Sequence, residues 1–124
     1  MKNAICWFDI PVKNLETCTK FYEKVMGVSL ARLDEHGFKM SMFPHQEDTS
    51  NVAGCLFEDK NAVPNTSNLL MYFDVDGRIK DAVDQVTQNH GKVINNIEAI
   101  GPWGYRAIVC DCEGNKIALW SRTA

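Results

Sequence analysis

Apolar and polar positions along this chain switch from a period of two to a period of three to four, and the switch occurs twice in the same order. Over residues 4–12 the alternation puts Cys6, Phe8, Ile10 and Val12 on one face and Ile5, Trp7, Asp9 and Pro11 on the other, which predicts a strand. Asn14 then stands at an N-cap position with Glu16 in the first turn, and Leu15, Cys18, Tyr22 and Val25 recur at helical spacing, flanked by Phe21 and Met26. These positions predict a helix whose apolar stripe covers the Phe8 face and which closes at Gly27. Residues 69–75 repeat the alternation, with Leu69, Met71, Phe73 and Val75 opposite Leu70, Tyr72 and Asp74. Asp76 is placed to cap a helix over residues 78–89, whose stripe is Ile79, Ala82, Val83 and Val86 and whose closing residue is Gly91. Val12 and Val75 lie 63 residues apart, and Gly27 and Gly91 64. The chain therefore reads as two copies of one unit.

The remaining pattern completes each copy. Residues 28–33 and 38–43 predict a hairpin around the turn 34–37, residues 44–51 a polar loop, and residues 52–57 a fourth strand. After a charged, Pro- and Asn-containing connector, residues 92–100, 104–110 and 116–121 supply three more strands, the last preceded by the turn 111–115. Each half is βαβββ. The expected fold is α+β, two βαβββ modules forming an open, cup-like mixed sheet with the helices packed outside. Residues 1–124 form one domain, with module 1 at about 1–58, a linker at about 59–68 and module 2 at about 69–124.

Composition narrows the function. An apolar fraction of 45% and a charged fraction of 23% exclude a disordered or collagen-like chain. The net charge is −3 and the cations are scattered, so the footprint of a nucleic-acid binder is missing and a small organic molecule is the favoured partner. No apolar run approaches the roughly 18 residues of a membrane span, and no signal-peptide pattern opens the chain, so a cytoplasmic protein without a membrane partner is expected. Five cysteines with no CxxC spacing read as reduced thiols.

Three stretches carry a family resemblance: Phe8-Asp9-Ile10-Pro11-Val12 with Leu15 and Phe21-Tyr22, then Gly101-Pro102-Trp103-Gly104, then Asp111 and Glu113-Gly114-Asn115 running into Lys116-Ile117-Ala118-Leu119-Trp120. Together they resemble the vicinal oxygen chelate superfamily of glyoxalase I, bleomycin-resistance proteins and extradiol dioxygenases, and in particular its short glyoxalase-like, lactoylglutathione lyase-related members. Cys112 departs from the proline usual in that last turn. The resemblance implies metal ligands at four places: the first strand, the fifth strand, the last strand and the fourth strand. They fall here on Trp7, Leu70, Ala118 and either Gly54 or Cys55, and of these only Cys55 can bind a metal. No metal cofactor is therefore expected, and the habit of similar proteins implies a homodimer.

The candidate site residues follow from the same faces. Trp7 can stack on a flat ligand or fill the volume of an absent metal. Asp9, Tyr72 and Asp74 share faces with Trp7 and Leu70, so a carboxylate and a phenol can meet in one cavity for acid/base work; the carboxylates can equally be strand-end groups bonded to backbone. His45 is a base over the cup mouth or a solvated loop residue, whereas His36 and His90 belong to a turn and a helix end. Cys55 is a nucleophile, a soft ligand or a small buried hydrophobe. Trp103 and Tyr105 around Gly104 form an aromatic lid or a turn staple, with Arg106 able to hold an anion, and Met42 can line an adaptable pocket. Asp9, Tyr72 and His45 are the catalytic candidates; Trp7, Met42, Cys55, Leu70, Trp103, Arg106 and Ala118 are the ligand-binding ones. The leading function is binding of a small organic ligand in the cup without the superfamily metal. The alternatives are a glyoxalase-like lyase, isomerase or dioxygenase with displaced metal ligands or metal-free acid/base chemistry, and a non-catalytic interaction module.

Overall fold

The computed structural model describes residues 3–45 and 52–124, so most of the predicted loop at 44–51 lies outside the described residues. The first module runs β1 (Trp7–Val12), α1 (Leu15–Met26), β2 (Ala31–Glu35), β3 (Phe38–Met42) and β4 (Ala53–Glu58). The second repeats it as β5 (Tyr72–Asp74), α2 (Ile79–Gln88), β6 (Lys92–Ala99), β7 (Tyr105–Cys110) and β8 (Lys116–Ser121). Strand order is β1-β4-β3-β2 in one sheet and β5-β8-β7-β6 in the other. In each the first strand is an edge strand paired parallel to the last, and the other pairings are antiparallel. The duplicated α+β architecture expected from the sequence is the one observed.

Alternation decides which sheet face is covered. Ile10 and Val12 are buried under α1 while Trp7 and Asp9 face outward, and Phe73 and Val75 are buried while Tyr72 and Asp74 face outward. The helices also pack on each other, so both modules share one hydrophobic core. At its joint Phe8 meets Phe73 edge-to-face at 5.5 Å, and Tyr22 and Phe43 lie 5.7 Å from the same ring.

Local signals acted as predicted in the first module and differently in the second. Asn14 caps α1 by accepting from Thr17 N–H at 3.0 Å, and Gly27 closes it at φ 67°, donating to the Glu23 carbonyl at 2.9 Å. Asp76 does not cap α2. Arg78 occupies the N-cap without a side-chain capping bond, and the Asp76 carboxylate is taken up by Arg122, whose Nε and Nη2 approach at 2.9 and 2.7 Å. Nor does Gly91 supply the left-handed turn after α2: His90 does, at φ 74°. Gly91 serves close packing instead, since a Cβ there would lie 2.6 Å from Phe21 Cε2 and 2.7 Å from the Cys110 carbonyl.

Strand boundaries also shifted. The first hairpin turns on His36 and Gly37 at φ 55° and 78°, a two-residue turn with both residues left-handed, so β2 runs on to Glu35 rather than ending at residue 33; it begins at Ala31 rather than residue 28. β5 spans three residues; Leu69 lies ahead of its ladder and is 76% exposed. No helix among the described residues is long and apolar enough to cross a membrane.

The turn between β7 and β8 ties the modules together. Asp111, 2% exposed, accepts the Tyr22 hydroxyl at 2.7 Å and the backbone N–H of Glu113 and of Asn115, each at 2.9 Å. Glu113 then accepts the backbone N–H of Lys13 and Asn14, both at 2.7 Å, at the start of α1. A loop of module 2 thus fixes the helix of module 1, and with it the sheet that helix covers.

Candidate functional site

The outward sheet faces carry two separate groups of candidate residues. On module 1, the register pairs Asp9 with Cys55 and Cys55 with Met42, so three adjacent strands present these side chains in one row. Trp7 Nε1–H donates to Asp9 Oδ1 at 3.0 Å, and the Cys55 thiol donates to the same oxygen at 3.3 Å. His45 meets the Trp7 ring edge-on at 5.9 Å. Gly54 falls on the opposite face, against Phe8, which resolves the one-residue ambiguity in the fourth strand in favour of Cys55.

Electrostatics make Cys55 a donor rather than a nucleophile. Burial, with the Asp9 carboxylate as its hydrogen-bond acceptor, pushes its thiol up to about 11. The four positions where the resemblance implies metal ligands therefore offer an indole committed to Asp9, a single thiol, and the hydrocarbon side chains of Leu70 and Ala118. That donor set does not fit a divalent transition metal. Among the described residues no group of three or more His, Cys, Asp or Glu side chains converges on a point.

On module 2, Tyr72, Phe73, Asp74, Ile100, Trp103 and Trp120 line a cleft of about 320 Å³. Its aromatic wall is held by specific bonds. Trp120 Nε1–H donates to the Trp103 carbonyl at 2.7 Å, and Ile100 N–H donates to the Gly104 carbonyl at 2.9 Å, which closes the short 3-10 turn at Gly101–Trp103. Gly104, at φ 98°, brings this turn against β8, where a Cβ would stand 2.5 Å from the Ser121 carbonyl. Trp103 projects with 72% of its surface exposed.

Arg106 supplies the positive charge beside this cleft. Its Nη1 donates to the Tyr72 hydroxyl at 2.7 Å, its Nη2 lies 3.5 Å from Glu98, and its Nε–H is buried without a hydrogen bond to any described residue. Because the Tyr72 oxygen accepts from Arg106, its own hydrogen is free to point at a ligand. Asp74 has the backbone role: its Oδ1 accepts Asp76 N–H at 2.9 Å. Ala118 pairs with Tyr72 in the ladder and is fully buried; Leu70 is half-buried just before β5.

Trp7, Asp9, Met42, His45 and Cys55 thus group on one module, and Tyr72, Trp103 and Arg106 on the other. No hydrogen bond or ring contact between described residues joins the two groups, whereas the sequence reading put Trp7 and Tyr72 in one cavity. Sequence reasoning missed Trp120 and Glu98. Trp120 was within reach, since it lies two residues beyond Ala118 on the same strand face.

The family model of the Glyoxalase/Bleomycin resistance protein/Dioxygenase superfamily matches residues 4–119, and the chain belongs to that superfamily. Solved structures with the same fold include a hypothetical protein from S. aureus, 20% identical with a TM-score of 0.71, the match covering 96% of this chain and 94% of that one. A glyoxalase/bleomycin resistance protein/dioxygenase family enzyme from Burkholderia phytofirmans PsJN is 16% identical with a TM-score of 0.68, covering 93% and 95% of the two chains. The genomically encoded fosfomycin resistance protein FosX from Listeria monocytogenes is 13% identical with a TM-score of 0.68, covering 98% and 94%. No curated protein sequence matches the chain.

Proposed function

We propose that this protein binds a small organic molecule, without a metal at the superfamily positions, and that the module 2 cleft is the principal contact surface. The observation that carries the reading is the pairing of an aromatic cleft of about 320 Å³ with the Arg106–Tyr72 couple at its side. Tyr72, Trp103 and Trp120 offer flat apolar area, and the guanidinium and phenol favour a ligand with a carboxylate or carbonyl oxygen. Trp7, at 37% exposure, and Tyr72, at 49%, leave both sheet faces open, which fits a homodimer in which a second copy covers them.

A thermal-shift screen of small aromatic acids and hydroxy acids tests this reading. The expected result is a hit whose affinity falls about tenfold or more in Trp103→Ala and in Arg106→Ala, is unchanged by a chelator, and is bound by protein free of stoichiometric transition metal. A bound transition metal needed for binding, or hits indifferent to both variants, would overturn it. The second reading is a metal-free glyoxalase-like enzyme that uses Tyr72 as the acid in the module 2 cleft. The Arg106 bond to the Tyr72 oxygen favours it, because that bond orients the phenolic hydrogen. Turnover lost in Tyr72→Phe with binding retained would select this reading over binding alone.

A further inference from the structure

Cys18 and Cys112 are 94 residues apart in sequence, yet their sulfurs approach to 3.2 Å. Cys18 lies on the buried face of α1 with no exposed surface, and Cys112 is half-buried in the turn between β7 and β8. The contact is held on both sides. One helical turn before Cys18, Asn14 N–H is bound by Glu113 at 2.7 Å; one turn after it, the Tyr22 hydroxyl is bound by Asp111 at 2.7 Å. The N-cap Asn14 and residues 18 and 22 of α1 therefore match residues 113, 112 and 111 of the turn in antiparallel order. The flanking pairs hold the start of α1 and the turn against each other on both sides of the sulfur contact.

We propose that Cys18 and Cys112 form an oxidative modification site, a reversible disulfide made by a hydroperoxide, which covalently joins α1 of module 1 to the β7–β8 turn of module 2. Cys112 is the more exposed sulfur and meets the oxidant. Its thiolate attacks one oxygen of hydrogen peroxide, the O–O bond breaks, and Cys112 sulfenic acid and hydroxide form, the hydroxide taking up the proton the Cys112 thiol released and leaving as water. The Cys18 sulfur then attacks the Cys112 sulfur, the S–O bond breaks, and the departing hydroxide leaves as water with the Cys18 proton. Two thiols lose two electrons and one peroxide becomes two waters. The hydrogen bond to Cys112, followed by burial, holds the Cys18 thiol well above its ordinary value, which keeps it protonated and protects it from direct attack by the oxidant, so that in the second step its proton goes to the departing hydroxide. Bond formation closes the sulfurs to about 2 Å, a small movement for a contact already in place.

The experiment treats the full chain with hydrogen peroxide at neutral pH, blocks remaining thiols with N-ethylmaleimide, and maps unreduced peptides by mass spectrometry. The expected result is a Cys18–Cys112 linked peptide, an intact mass lower by two hydrogen atoms, and full reversal by dithiothreitol. The thermal midpoint of the linked protein should rise by roughly 10 °C, because a long loop is closed in the unfolded chain. Cys112 ending as sulfinic acid, or pairing with Cys6 or Cys110 while Cys18 stays free, would overturn the proposal. So would a peroxide-induced rise of the same size in Cys112→Ser. The wild-type map stands even if that variant folds poorly.

Discussion

Replacing Asp111 with alanine is expected to cost the fold about 4 kcal/mol, read as a lower urea midpoint with an unchanged slope. The side chain is 2% exposed and accepts four donors: the Tyr22 hydroxyl at 2.7 Å, the Glu113 and Asn115 backbone N–H groups at 2.9 Å, and Asn115 Nδ2 at 3.0 Å. Removing it leaves a buried phenol and two backbone donors without their acceptor, which is costlier than losing the bonds themselves. The damage spreads further, because the same turn aims Glu113 at the start of α1. Tyr22→Phe removes one donor and keeps the rest, so its cost should be about 1–2 kcal/mol, and the double variant should lose less than the two singles added. A cost below about 1 kcal/mol for Asp111→Ala would mean that the turn is held by other contacts.

That turn also marks where sequence reading succeeds and where it stops. The duplication was legible because each strand and helix writes its own period, and Asn14 and Gly27 are local signals acting within four residues of the helix end they shape. Echoing the first module onto the second misled at Asp76 and Gly91. The first is bound by Arg122, 46 residues on, and the second is demanded by Phe21 on the other helix, and neither partner is local. Glu113 with Lys13, and Cys18 with Cys112, are likewise tertiary meetings that no window along the chain records. The candidate faces were legible: Trp7, Asp9, Tyr72 and Arg106 all point away from the core. Their grouping was not, because β1 and β5 are edges of different sheets and alternation says nothing about how far apart two edges lie.

Adding a single methyl group at Gly54 is expected to cost about 3 kcal/mol, with an effect on the module 1 group as well as on stability. The new Cβ would stand 2.4 Å from the Phe8 carbonyl oxygen and 2.6 Å from its ring carbons. The oxygen belongs to the β1–β4 ladder, where Phe8 and Gly54 are register partners, so it cannot swing aside without opening the strand pair. The ring is pinned too, between Phe43 and Phe73 at 5.5 Å each. The remaining response is for β1 to move off β4. Asp9 and Cys55 face each other across that pairing, so their 3.3 Å contact should loosen and the thiol should lose the burial that keeps it protonated. Gly54→Ala should therefore show both a lower urea midpoint and faster alkylation of Cys55 at fixed pH. Gly37→Ala is the control: it has a φ of 78° but nothing within 4 Å of the added carbon, so it should cost only about 1 kcal/mol and leave Cys55 as slow as in the parent. Equal costs for the two variants would show that β1 yields without strain, and the rigid strand pair assigned to this face would be wrong.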